Sequence, residues 1–324
     1  MPKRIAAIAC VVLLTLCLPF ACSGVSENYV FNSFYRLEIE GNHASRVKKE
    51  AESRLIALEQ SLSTSLAESD VAKLNAAPAD TPIAVGNDTY YLLTLSATAF
   101  ERTDGAFNIA MYPLVELWGF APTNFTGIAT EIPTPAEIDA LLPYADPTLL
   151  TFDNNAVTKS ASAVRIDFGG LGKGYAADVV YRLITEAECD AFVNIGGTVR
   201  TSTPKTIGIT DPRDPGQLSA KLSLPAGQSV STSGDYYRYY IVDGVRYHHI
   251  LDQNGYPAGL SDPDRLISAT VTGTEAVWCD ILSTAAFVMN RSDYTALLNT
   301  MGYSALLIDE HGSVQIGEAA FELL

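Results

Sequence analysis

The chain has 324 residues, 48% of them apolar and 18% charged, with a formal charge of −16. Such a composition excludes a disordered or fibrous chain and leaves an ordered protein with a substantial core. The acidity excludes nucleic acid as a partner, and a phosphate ligand would need a metal ion or local basic groups to offset the repulsion. The first stretch, MPKRIAAIACVVLLTLCLPFACSG, sets Lys3 and Arg4 before an apolar run from Ile5 to Leu18. Its length and flanks read as a secretory signal over residues 1–21 rather than a membrane span. Cys22, preceded by LPFA and followed by Ser23 and Gly24, fits a bacterial lipobox in which Pro19 and Phe20 are atypical. The expectation is a lipid anchor at Cys22, with ordinary cleavage as the alternative, then a short tether over 22–28 and one domain over 29–324. That arrangement puts the protein in the bacterial cell envelope, outside the cytoplasm, and touching the membrane only through its anchor.

YVFNSFYRLEIEG alternates like a strand, and SRVKKEAESRLIALEQSLS spaces Val47, Ala51, Leu55, Leu58 and Leu62 along one helix face. NDTYYLLTLSATAFERTDG predicts a second helix, capped by Asn87 or Asp88 and ended by Gly105. A loop over 121–135 precedes short strands near 148–153, 156–160 and 163–168. A helix from Lys173 to about Glu186 leads into AFVNIGG, which reads as a buried strand. Strands and turns dominate 205–272, with VDGV as a hairpin turn, and a helix over about 275–289 follows. SDYTALLNTMG and a closing ALLIDEHGSVQIG hairpin complete the chain. Hairpins without regular βαβ alternation, and no linker or repeat, predict an α+β fold of mixed or antiparallel sheets with packed helices in a single large domain.

Cys10 and Cys17 leave with the signal, and Cys189 and Cys279 read as small buried residues. Four histidines, His43, His248, His249 and His311, are too few for a His/Cys zinc site. DFGGLGKGYAAD, from Asp167 to Asp178, is a glycine-rich turn between a strand and a helix, a place where phosphate often meets backbone. It fails the P-loop pattern, because Lys173 is followed by Gly174 and Asp167 stands where the first glycine belongs. Gly172, Gly174 and Ala177 meet a relaxed dinucleotide fingerprint, but without the βαβ context it requires.

Five rare stretches occur in order: DGAFNIAMYPLVELWGF, DFGGLGKGYAAD, VNIGGTVR, STSGDYYRYYIVDGVRYHHILD and EAVWCDILSTAAFVM. Together they resemble the signature segments of the ApbE family, over roughly residues 28–320. Members of that family are flavin transferases that move FMN from FAD onto a serine or threonine of a target protein. The resemblance implies an ApbE-like fold, Mg²⁺ as cofactor, FAD as substrate and a target flavoprotein as partner. It makes Asp167 and Lys173 nucleotide contacts and Gly170 a carbonyl donor to Mg²⁺, chemistry that suits a glycine and a lysine facing a diphosphate. In CDILSTA it assigns Asp280 and Thr284 to the metal, and their spacing of four puts them on one helix face. Ser283 joins them where some relatives carry a second acid. One carboxylate, hydroxyls and a carbonyl make a thin site that would fill weakly without diphosphate.

HHILD is expected on a strand, so His248 and His249 point to opposite faces. The family's histidine precedes an apolar pair and an aspartate, which selects His249 as base, with Asp252 orienting it or adding to the local field and Ile250 beside the flavin nucleotide. After Asp252 the chain reads DQNGYP, one residue shorter than the family pattern and without its proline and basic residue. The resemblance also makes Thr232, Ser233 and Gly234 phosphate contacts and Ala106, Phe107 and Asn108 flavin contacts. Asn108 stands where aspartate is frequent, Phe31 where methionine is, and Ser65 where an aromatic is. The implied activity is Mg²⁺-dependent transfer of FMN with release of AMP. Its rivals are FAD hydrolysis to FMN and AMP, a flavin-binding lipoprotein without turnover, and, from the glycine fingerprint alone, a nicotinamide oxidoreductase.

Overall fold

Residues 23–128 and 131–324 are described by the computed structural model. β1 (Ser23–Val30) and β2 (Ser33–Glu40) form a hairpin in which Ser23 pairs with Glu40 and Val30 with Ser33. YVFNSF therefore spans two strands rather than lying in one. Phe31 and Asn32 make the turn with φ of 53° and 54°, the left-handed pair that a two-residue hairpin loop needs. The signal segment and Cys22 lie outside the described residues. Residues 23–28 do not form the expected tether, because they are already paired as the outer strand of a sheet.

α1 (Ala44–Leu62) buries the five residues of its predicted face. α2 (Asp70–Ala76) is capped by Ser69, and β3 (Ile83–Ala84) leads into α3 (Asn87–Arg102). Neither Asn87 nor Asp88 caps α3; the cap is Gly86, whose amide donates to Asp70 Oδ2 at 2.8 Å. α4 (Tyr112–Leu117) and α5 (Pro135–Leu141) bracket the long loop, and β4 (Leu150–Asp153) pairs with β5 (Ala156–Lys159). The run 163–168 is not a strand. Asn75 takes both backbone groups of Ile166, each at 2.8 Å, and so stands in for a ladder partner.

α6 (Gly172–Glu186) precedes β6 (Asp190–Ile195) and β7 (Thr198–Thr201). β8 (Lys205–Thr210), β9 (Leu218–Leu224) and β10 (Ser229–Gly234) follow. The hairpin β11 (Tyr239–Val242) and β12 (Val245–His248) turns at Asp243 and Gly244. After β13 (Leu266–Gly273) come α7 (Ala276–Ala285) and α8 (Arg291–Met301). β14 (Ser304–Asp309), β15 (Gly312–Ile316) and β16 (Phe321–Leu323) end the chain.

Eight strands make one antiparallel sheet in the order β1-β2-β6-β7-β10-β13-β14-β15. Helices α1, α6 and α7 cover one face, and the small sheet β16-β9-β8 covers part of the other. Burial on both faces explains why all eight residues of β13 are buried. Strand β10 shows the consequence for chemistry. Ser229, Ser231 and Ser233 face the helices, whereas Val230 joins the core on the far side with β9. A separate aromatic cluster, with Trp118, Phe120, Tyr240 and Tyr247 at its centre, joins α4 to the β11–β12 hairpin. Cys189 and Cys279 are separate buried thiols.

Lys159, fully buried, ties this framework to the glycine-rich turn. Its ammonium donates to the carbonyls of Asn75, Ser162 and Val164 at 2.8, 3.0 and 2.9 Å, and burial lowers its pKa to about 8. Lys159→Met keeps the apolar stem and leaves three carbonyls without their donor. We expect a loss of about 3 kcal/mol in urea unfolding. An unchanged midpoint would mean that water replaces the ammonium there.

Candidate active site

The turn from Asp167 to Gly174 brings the first turn of α6 against the first turn of α7. A Cβ on Gly174 would lie 2.4 Å from the Ala276 carbonyl oxygen, so only glycine permits the approach. The two helices then exchange caps. The Gly174 amide donates to Asp280 Oδ2 at 3.1 Å, from α6 to α7. In the other direction, the Ala276 and Val277 amides donate to the two oxygens of Asp178 at 2.9 and 3.0 Å. Glu275, at the cap position of α7, makes no side-chain cap, so Asp178 supplies it from the neighbouring helix. Burial pushes the Asp178 carboxyl up, and Arg200, paired with it, pulls the other way.

Around Asp280 the polar groups converge. Lys173 Nζ lies 3.6 Å from Asp280 Oδ2 and donates to the Gly169 carbonyl at 3.1 Å. Ser231 Oγ donates to Asp280 Oδ1 at 3.1 Å and shares a 2.9 Å hydrogen bond with Thr198. Thr284 is half-buried, its hydroxyl 3.3 Å from Ser233 Oγ and 3.3 Å from where a Gly170 Cβ would stand. The Phe107 ring comes within 2.9 Å of that same point, which explains the glycine. Asp280, Thr284, Gly170, Lys173, Ser233 and Phe107 are thus brought together as expected.

Among the described residues no group of three or more His, Cys, Asp and Glu side chains could hold a metal. What remains is the Asp280 carboxylate, the Thr284 hydroxyl and the backbone of Gly170. These hard oxygens fit Mg²⁺ completed by phosphate or water, and each Asp280 oxygen keeps a lone pair beyond its present partners. Ser283 does not fit. Its side chain is fully buried, donating to the Asp280 carbonyl at 2.9 Å and bonded to Ser233 at 2.8 Å, so it braces the site from behind.

The histidines differ more than simple alternation implies. β12 ends at His248, and His249 sits in the bend that follows rather than on the strand. His248 is buried, with Nδ1 accepting from the Ile250 amide at 3.3 Å and Nε2 donating to the Ala258 carbonyl at 3.0 Å. Both nitrogens are used, and burial lowers its pKa to about 4. The half-buried His249 uses only one. Its Nδ1 lies 3.2 Å from the Arg238 carbonyl, which can only accept, so Nδ1 carries the proton and Nε2 keeps its lone pair. Burial, then the nearby Arg238 charge, holds His249 well below the ordinary histidine range and therefore neutral. Asp167 faces the same charges of Arg238 and Lys173, although burial outweighs them and pushes its carboxyl up.

The other expected residues have partners of their own. Asp252 does not orient His249, because Oδ1 accepts the amides of Asn254 and Tyr256 at 2.9 and 3.0 Å and closes the rebuilt turn. The Arg238 carbonyl does the orienting instead. Thr232 faces away from Asp280, its hydroxyl 2.9 Å from that of Thr270. Gly234 lies under the Tyr236 ring, where a Cβ would come within 2.2 Å. Asn108 caps a short 3-10 turn through the Ala110 amide and donates to the Ala145 carbonyl at 2.7 Å, with Ala106 two residues before it. Ile250 is buried in the main core, Phe31 anchors its turn to Glu59, and Ser65 is exposed in the loop after α1. Roles for Asp178, Arg200, Ser231 and Arg238 were not expected, although all four lie within the quoted motifs, because their partners sit on other elements.

Residues 31–307 match the model of the ApbE family. The chain belongs to the ApbE family. It is 36% identical to an FAD:protein FMN transferase of Klebsiella pneumoniae over 71% of either chain. With the FAD:protein FMN transferase of Escherichia coli K12 it shares 28% identity over 89% of this chain and 84% of the relative. The ApbE protein of Thermotoga maritima superposes with a TM-score of 0.80 at 30% identity, covering 93% of this chain and 97% of that one. The apo flavinyl transferase ApbE of Pseudomonas stutzeri gives 0.78 at 27% identity, over 92% and 95% of the two chains. These matches bear out the α+β reading and its ApbE-like fold.

Gly174→Ala forces α6 from α7 and should cost about 3 kcal/mol in urea unfolding. Gly172→Ala, whose Cβ would meet only Phe168 at an ordinary 3.6 Å, should stay near wild type. Equal effects would place the tight contact elsewhere. His248 yields a pH signature. Its pKa falls from the ordinary 6.5 to about 4 on folding, so its stability contribution is complete above 6.5 and is lost as pH falls toward 4. The loss is on the order of 3 kcal/mol. His248→Gln keeps a donor and an acceptor without titrating, so its unfolding midpoint should fall less steeply than wild type between those pH values. Parallel curves would remove His248 as the source.

Proposed function

We propose that the protein is an Mg²⁺-dependent FAD:protein FMN transferase. The observation that carries the reading is a neutral histidine with a free Nε2 under the charge of Lys173, whose ammonium in turn lies 3.6 Å from the Asp280 carboxylate of an oxygen-donor set. That arrangement suits phosphoryl-type chemistry, where positioning and charge neutralisation do most of the work.

In this reading His249 Nε2 takes the proton from a serine or threonine hydroxyl of the acceptor protein. The hydroxyl oxygen bonds to the FMN-side phosphorus, the bond from that phosphorus to the bridging oxygen breaks, and AMP departs with the released electron pair. Lys173 lies against the diphosphate, and Ser231 and the Gly174 amide hold Asp280 still while it serves the metal. Asp280, Thr284 and the Gly170 carbonyl would hold Mg²⁺, which supplies charge neutralisation to the diphosphate when bound. Ser233 and Phe107 line the same space.

The partners this implies are extracytoplasmic flavoproteins, with subunits of membrane electron-transfer complexes as natural candidates. We also propose attachment to the bacterial membrane through a lipid at Cys22. No helix among the described residues is long and apolar enough to cross a membrane.

The test is incubation with FAD, Mg²⁺ and an acceptor protein, read by intact mass. Transfer adds FMN minus water to the acceptor, whereas hydrolysis gives free FMN and an unmodified acceptor. His249→Ala should slow transfer by about 10²–10⁴-fold while FAD affinity stays close to wild type. Asp280→Ala should abolish the response to Mg²⁺. A full rate in His249→Ala removes the base, and an unchanged metal requirement in Asp280→Ala moves the ion.

A further inference from the structure

Arg238 lies between β10 and β11, half-buried beside the proposed base. Its carbonyl accepts both the backbone amide and the ring Nδ1 of His249, at 3.1 and 3.2 Å, so its main chain is fixed relative to that ring. Its guanidinium carries five N–H donors. Among the described residues it makes one hydrogen bond, from Nη1 to the Phe120 carbonyl at 2.9 Å, and pairs with no carboxylate. None of its nitrogens is a sealed, unsatisfied buried atom, so the donors not used by Phe120 reach solvent.

This stands out in so acidic a chain. The half-buried Arg54, Arg165, Arg200 and Arg246 are each paired with a carboxylate. Arg238 is as enclosed as they are, and burial presses its own pKa down, as expected for a cation without a close partner. Its charge acts on both Asp167 and His249, as does that of Lys173. An arginine anchored at one N–H, with its remaining donors free and a lysine acting on the same two neighbours, is built to receive an oxyanion in two-point fashion.

We propose that Arg238 is a catalytic residue that binds non-bridging phosphate oxygens of the FAD diphosphate, acting with Lys173. This rests on the transferase reading for its substrate. The Phe120 carbonyl holds one end of the guanidinium, and the His249 contact fixes the main chain from which the side chain extends. The phosphorus under attack is thereby presented between a donor fork and a proton acceptor that share one backbone segment. The group adds no covalent step. It stabilises the charge that builds on the phosphate oxygens as the acceptor oxygen bonds and AMP leaves.

The experiment compares Arg238→Gln and Arg238→Lys with wild type. Affinities for FAD and for riboflavin, which has no phosphate, are read from flavin fluorescence, and kcat and KM from FMN transfer. Arg238→Gln should lower kcat by about 10²–10³-fold and FAD affinity by about tenfold, with riboflavin affinity unchanged. Arg238→Lys should recover most FAD affinity but only part of kcat, because a point charge lacks the fork. Equal weakening of FAD and riboflavin, or a kcat within threefold of wild type in Arg238→Gln, overturns the proposal. Should wild type leave every acceptor unmodified, the transferase reading fails, and the FAD-against-riboflavin comparison still decides Arg238.

Discussion

Two buried carboxylates exchanged between neighbouring helices hold this site together. Asp178 of α6 caps α7, and Asp280 of α7 takes an amide from the first turn of α6. Each helix start would otherwise leave amides unsatisfied in the core, where an unpaired donor costs about 1–3 kcal/mol. The exchange requires the helices to touch, and Gly174 lets them. Because Lys173 stands one residue before Gly174, the same contact sets its ammonium 3.6 Å from Asp280. Binding chemistry and helix docking are one construction here, and moving either helix moves every donor in the site.

Charge in the cleft runs against charge in the body. The chain is strongly acidic overall, yet Lys173 and Arg238 both act on Asp167 and His249. Their fields and burial hold His249 neutral, which makes it a ready acceptor of a proton but a weak base. A bound diphosphate would offset those positive charges and shift His249 back toward the neutral range, strengthening the base when substrate is present. The acidic exterior meanwhile repels anions that do not find the cleft.

Much of this was legible in the sequence, for reasons that can be named. Helix α1 declared itself by its spacing, and the glycine-rich turn by glycines too dense for a helix start. The segments resembling the ApbE family located Asp280, Thr284, Gly170, Lys173 and His249, which the fold does gather. Other details depend on tertiary partners that pattern cannot reveal. Residues 163–168 alternate like a strand, but Asn75 captures Ile166 from a distant helix. YVFNSF alternates across a turn, so the hairpin hides inside one apparent strand. Asp252 looks like an orienting acid until DQNGYP is seen to need it for its own closure.

Asp280 is asked to do three things at once. It accepts the Gly174 amide, lies within ion-pair distance of Lys173, and is the one carboxylate in the oxygen set around Thr284 and Gly170. Among the described residues Lys173 is the basic group drawn toward it. In the proposed reaction Asp280 would hold Mg²⁺, and Lys173 would then be free to turn to the phosphate. On that reading neither exchange would be favourable alone, since Mg²⁺ by itself would find one acid and repel Lys173, while the diphosphate by itself would meet the Asp280 charge. The proposed site would therefore favour joint binding of metal and nucleotide, so that a set too thin to hold the ion unaided would select the ion that arrives with its substrate.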